Sequence, residues 1–225
     1  MYEAEIQQDS DVYTADVAID RALSRLLTAT LAYEAAYFDI AFEPNTWTHT
    51  PRLGASYRLT ETVSVAASAG PSFEFSERRR GDRVTPAVTA SYEQRTFFGR
   101  FELSFDRRIG LAGGLGGTTD NTQIGGRLDV TTLMRGLTLS VAPRYNFIKS
   151  PDDDRRIDIQ SFLMPLTATY RLTAWLAAVA RYQFYRQRTD GPIFNRAGLV
   201  VAEDADQNRI FVGLQFGYPF TFDRP

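Results

Sequence analysis

Charged side chains recur at alternate positions within otherwise apolar stretches of this chain: Asp16, Glu34, Arg52, Arg58, Glu74, Glu93, Glu102, Arg127, Asp129, Arg144, Arg171, Arg181 and Arg209. Acids and arginines set along one surface can orient ions and dipolar solutes, or they can pair with one another and merely hold that surface together. They also separate along the sequence. Asp16, Asp20, Glu34, Glu74 and Glu93 come early, opposed by Arg52 and Arg58. Arg127, Arg144, Arg171, Arg181 and Arg209 come late, with Asp129 as the exception.

Other groups able to do chemistry are sparse. His49 is the only histidine and cysteine is absent, which removes multi-histidine metal sites, thiolate sites, disulfides and cysteine nucleophiles together. Sequence order leaves a Ser-His-Asp arrangement open, but His49 beside Trp47 reads as an interfacial residue. Asp152-Asp153-Asp154 lacks the spaced ligands of a calcium loop. Gly113-Gly114-Leu115-Gly116-Gly117 is followed by no helical pattern and reads as a flexible loop rather than a nucleotide cradle. Arg80-Gly81-Asp82 is a basic loop with a turn glycine. The expectation is no catalytic residue, no cofactor and no metal.

The charges are positioned by β-strands. Val63, Val65, Ala67, Ala69, Phe73 and Phe75 alternate with Ser64, Ala66, Ser68, Ser72 and Glu74. Phe101, Leu103 and Phe105 alternate with Arg100, Glu102, Ser104 and Asp106, and Leu137, Leu139 and Val141 with Thr138 and Ser140. A period of two means a strand with two chemically different faces. These strands run about 10–15 residues, where soluble strands average about 5–6 and a tilted membrane-crossing strand needs about 9–11. Short turns, as in the near copies Tyr57-Arg58-Leu59-Thr60-Glu61 and Tyr170-Arg171-Leu172-Thr173-Ala174, recur between longer polar loops. Leu23-Ser24-Arg25, Glu93-Gln94-Arg95 and Met134-Arg135-Gly136 are placed as further short turns. The stretch from Leu23 to Glu34 also fits helical spacing, but Leu27, Leu31, Tyr33 and Tyr37 alternate with Thr28, Thr30 and Glu34, which favours a strand.

The last strand carries a resemblance. Ile210, Val212, Leu214, Phe216, Tyr218, Phe220 and Phe222 alternate almost to the chain end. Gln215, Gly217, Phe220 and Phe222 match the assembly signal that closes bacterial outer-membrane β-barrels, apart from the overhang Asp223-Arg224-Pro225. The chain therefore resembles a porin-like outer-membrane barrel of a Gram-negative bacterium. The resemblance implies a multi-pass antiparallel up-and-down β-barrel with short periplasmic turns and long outer loops. It also implies as partners the lipid bilayer, lipopolysaccharide and the barrel-assembly machinery. The outer-membrane phospholipases carry an outward histidine with a serine two residues on; here that place is Pro51.

Counting back from the end gives eleven strands from about Asp11. Barrels of this class have even strand numbers, so Tyr2 to Gln7 is expected to supply a twelfth and to bring both termini to the periplasmic side. Ten strands is the alternative. One domain spanning residues 1–225, in monomeric form, is expected. A twelve-stranded backbone is roughly 24 Å across, too wide to be filled by the small apolar residues present. The apolar face should thus meet lipid, and the charged face a wet lumen. Tyr33, Tyr37, Trp47, Tyr57, Tyr92, Tyr145, Phe147, Tyr170, Tyr182, Phe184, Tyr218 and Phe222 then belong at the headgroup levels.

A net charge of −2 gives no reason to expect nucleic acid. The mean hydropathy of −0.26 hides the membrane character because only alternate residues face lipid. Met1-Tyr2-Glu3 starts no export leader, so a mature or truncated chain with an added Met is expected, a cytoplasmic protein being the other reading. The expected function is a channel for passive passage of ions or small hydrophilic solutes. The rival is a non-conducting structural, adhesion or export-associated barrel, closed by its loops and by lumen salt bridges. The apolar last loop, with Ile193, Phe194, Val200 and Val201, either enters the mouth or packs on the rim.

Overall fold

The structure is a computed structural model; it describes residues 10–40, 45–76, 82–111, 118–150, 158–190, 193–194 and 200–217. Its elements are all strands. They are β1 Ser10–Ala22, β2 Leu27–Ile40, β3 Thr46–Arg58, β4 Val63–Ser76, β5 Arg83–Thr96, β6 Gly99–Leu111 and β7 Thr118–Val130. There follow β8 Leu137–Val141, β9 Arg144–Lys149, β10 Asp158–Arg171, β11 Leu176–Thr189, β12 Ile193–Phe194, β13 Val200–Ala202 and β14 Ala205–Phe216. One 12-stranded antiparallel sheet runs β1-β2-β3-β4-β5-β6-β7-β8-β10-β11-β14, with β9 between β7 and β10; β12 and β13 form a separate hairpin.

β8 and β9 are two halves of one crossing. The register is kept across their gap, from Leu128 opposite Val141 to Gly125 opposite Arg144. Pro143, and Pro165 on β10 opposite the adjacent Ala142, have no N–H to give, so the ladder lapses there without slipping. Twelve strands, two of which share a crossing, make eleven crossings. β1 and β14 both run from the loop end to the turn end, and among the described residues no pairing joins them. The strand expected at Tyr2 to Gln7 lies outside the described residues.

The ambiguous segment forms β2, paired along its length with β1 and β3. One turn is displaced. Glu93, Gln94 and Arg95 lie within β5, and the chain reverses at Phe97-Phe98, where Thr96 pairs with Gly99. The polar triplet mimics a turn in sequence because its two charges are lumen ion-pair partners. Pro51, Pro71 and Pro86 lie on one outward row across β3, β4 and β5, with Pro71 opposite Pro86. At this row Gly70 lets the backbones close in, since a Cβ on it would sit 1.8 Å from the Pro51 carbonyl oxygen.

The polar face is concave. Thr118 Oγ1 at the start of β7 donates to Glu74 Oε1 on β4 at 2.6 Å although β5 and β6 intervene in the sheet, so the outer end of β7 is folded over the polar face. Ser72, Glu74, Thr48, Thr50 and Thr85 are buried on this inner face. The outer face does the reverse: Leu53, Val84, Ile124 and Ile210 are large, apolar and exposed. A continuous exposed apolar surface is what lipid contact requires.

Aromatic belts bound that surface. Tyr13, Tyr37, Trp47 and Phe75 share one row at the loop end, with Tyr37 and Trp47 ring centroids 4.5 Å apart. Tyr145, Phe147, Phe162 and Phe184 continue the belt around the far wall. Tyr57, Tyr92, Phe101 and the stacked pair Trp175 and Phe216 mark the turn end. From Trp47 to Tyr57 is ten residues, about 33 Å along the strand and about 25 Å along the barrel axis at a tilt near 40°. That equals the apolar height of an outer-membrane barrel.

Candidate functional site: the charged lumen

Every charged residue of the alternating set lies on the inner face, because the cross-strand registers link them through common rows. Asp16 is opposite Glu34 and Ala32 opposite Arg52. Arg58 is opposite Ser64, and Ser64 opposite Glu93. Glu93 faces Glu102, which faces Arg127, and Asp129 faces Ser140. Arg144 faces Gly125 and Leu163, Arg171 faces Ala177, Arg181 lies between Thr167 and Phe211, and Arg209 faces Gln183.

Nearly all the acids are paired. Arg52 donates to Glu34 at 2.7 Å. Two glutamates directly opposite repel, and Glu93 and Glu102 are held together by Arg100, which binds Glu93 at 2.9 Å and also binds Glu102. Arg95 adds a second bond to Glu93 at 2.9 Å. Arg127 Nε donates to Asp129 at 2.7 Å. Glu74 accepts from Thr118 and has Arg83 at 3.6 Å. Asp20 accepts from Thr30 at 2.6 Å. Asp16 is exposed and has no ion pair among the described residues.

The arginines of the far wall differ. Arg144, Arg171, Arg181 and Arg209, with Arg58 on the near wall, are exposed, and among the described residues none has an ion pair. A polar hollow of about 490 Å³ opens at the turn end beside Arg171, lined also by Thr138, Thr169 and Gln215. Arg181, Arg209 and Arg144 fall on successive inner rows of β9, β11 and β14. Chemically this is a track of guanidinium groups in water, each free to hydrogen-bond a carboxylate, phosphate or halide.

Arg95, Arg100, Arg83 and Thr118 were missed as site residues. Arg95 and Arg100 stand two positions from Glu93 and Glu102, so the period of two places them on the same face. Thr118 has no such signal, because its partner is remote in sequence. Of the assembly signal, Gln215 lies on β14 opposite Ala177, and Gly217 donates its N–H to the Trp175 carbonyl at 2.9 Å. Phe220 and Phe222 lie outside the described residues. His49 points outward, with Tyr33 Oη 2.6 Å from its Nδ1 and Phe75 edge-on to its ring. That is an interfacial aromatic cluster.

Residues 112–224 match the family described as "Putative MetA-pathway of phenol degradation". Among solved structures, the chain is similar to the NanC porin in a rhombohedral crystal form, at 14% identity and a TM-score of 0.40, over 94% of this chain and 98% of that one. No curated protein matches the chain.

Proposed function

We propose a function from one premise: this chain belongs to the MetA-pathway phenol-degradation family. It is a porin-like outer-membrane channel, and its lumen passes small hydrophilic solutes with a preference for anions. Its part in a degradation pathway is passage across the outer membrane of a Gram-negative bacterium, not a reaction.

One observation carries the preference. Glu34, Glu74, Glu93, Glu102 and Asp129 are each engaged by an arginine, whereas Arg58, Arg144, Arg171, Arg181 and Arg209 are exposed with no ion pair among the described residues. Paired acids present little field to a passing ion, while solvated unpaired cations raise the local anion concentration.

The test is single-channel recording of the refolded protein in a planar bilayer with a salt gradient. A steady conductance with the reversal potential displaced toward the anion equilibrium supports the reading. A cation-selective current overturns the preference. A folded, heat-modifiable protein without current favours the closed barrel instead.

A further inference from the structure

Strand β5 is paired with β6 only from Thr96 to Val88; beyond the Val88–Arg107 pair the ladder stops. β6 and β7 nevertheless stay paired to their ends, Leu111 with Thr118. The outer third of this hairpin has therefore left its place beside β5. Its described outer end, residues 109–111 and 118–120 and hereafter the tip, reaches β4 instead, where Thr118 Oγ1 donates to Glu74 Oε1 at 2.6 Å. To get there it must cross the inner face of β5. The residues it crosses are sealed: Ala87 is 1% exposed, Thr85 3% and Ser72 2%. Glu74 itself is 3% exposed. Both sides of the tip are buried too, since Ile109 and Thr118 face one way, Thr119 the other, and all three are buried.

The tip is stiffened from within. Arg107 binds Asp120 through Nε at 3.2 Å and Nη2 at 2.6 Å, and Thr119 Oγ1 donates to the Gly110 carbonyl at 3.2 Å. A buried carboxylate is tolerated only with donors around it. Thr118 supplies one from the hairpin and Arg83 a positive charge from β5, so Glu74 anchors the tip to the wall.

We propose that the β6–β7 tip, anchored by Thr118 to Glu74, fills the acidic side of the outer lumen and is the constriction that confines solutes to the arginine-bearing wall of β9, β10, β11 and β14. This rests on the channel reading and deepens it. The tip determines specificity by position: it removes Glu74 and the neighbouring wall from the path and leaves Arg144, Arg181 and Arg209 lining it. Anionic solutes small enough to pass beside the hairpin are the class selected.

The chain contains no cysteine, so single cysteines report on this directly. Ala87→Cys and, as a second reporter at an isosteric site, Ser72→Cys lie beneath the tip. Thr167→Cys lies on the inner face of β10. Each folded variant in detergent is treated with the anionic thiol reagent sulfonatoethyl methanethiosulfonate. Labelling is followed by mass, and current is recorded in parallel. Thr167→Cys should label quickly and lose current. Ala87→Cys and Ser72→Cys should label at least about tenfold more slowly, since they wait on local opening, and keep their current. Adding Thr118→Val to Ala87→Cys should restore fast labelling. Equal rates at the three sites in the unaltered background overturn the covered wall. An unchanged rate after Thr118→Val overturns the anchor. If no variant conducts but the contrast in labelling persists, the channel reading fails and the inserted hairpin stands.

Discussion

Replacing Arg181 and Arg209 together by glutamine should collapse the anion preference, and the size of the effect follows from the geometry. Arg181 faces Phe211 and Arg209 faces Gln183, so the two arginines are diagonal neighbours on the inner face of β11 and β14. A twelve-stranded wall has a backbone radius of roughly 12 Å, and an extended arginine of about 6 Å brings each guanidinium within about 6 Å of an ion on the axis. In water that is about 0.7 kcal/mol per charge, reduced to about 0.4 by ~0.1 M salt. The sign reverses between anion and cation, so each arginine separates the two by about 0.8 kcal/mol and the pair by about 1.5. The anion-to-cation permeability ratio should fall about tenfold. The assay is the reversal potential across a potassium chloride gradient, with heat-modifiable mobility on a gel confirming that the barrel has formed. A ratio that stays within about twofold of the original means that these arginines lie outside the ion path, and the assignment of the basic wall is wrong.

Three further outcomes are expected. Glu34→Gln frees Arg52 from its 2.7 Å partner, and the added net positive charge should raise the anion-to-cation ratio, up to about fourfold; a fall, read by the same reversal potential, contradicts the lumen placement of this pair. Gly70→Ala drives a Cβ to 1.8 Å from the Pro51 carbonyl oxygen, an overlap with backbone that should cost more than about 3 kcal/mol and lower refolding yield. Gly110→Ala, where nothing lies within 4 Å of the new carbon, should leave the yield unchanged; equal behaviour of the two on a heat-modifiability gel refutes the close approach. Deleting residues 2–7 should abolish the heat-modifiable folded band. β1 and β14 run in the same direction, and an all-antiparallel closure needs one more strand between them. Unimpaired folding of the shortened chain would rule out Tyr2 to Gln7 as that strand.

Apart from the displaced turn at Glu93-Gln94-Arg95, the described strands and the face that each charge shares were legible in the sequence alone. A period of two is a local property: once Val63, Val65 and Ala67 are outward, Ser64, Ala66 and Ser68 are inward. The aromatic belts were legible for the same reason, since rings and charges recur at fixed places along each strand. Tertiary structure decided what the charges do. Whether Glu93 opposes Glu102, and whether Arg100 is close enough to bridge them, depends on the register between strands, which no single strand contains. The lapse between β8 and β9 needed Pro143 and Pro165 to come to diagonal positions on neighbouring strands, although each is unremarkable in its own segment. The inserted tip was the least foreseeable. Thr118 and Glu74 are 44 residues apart. They touch only because the wall curls and β6 parts from β5, and curvature belongs to the assembled sheet rather than to any pattern along the chain.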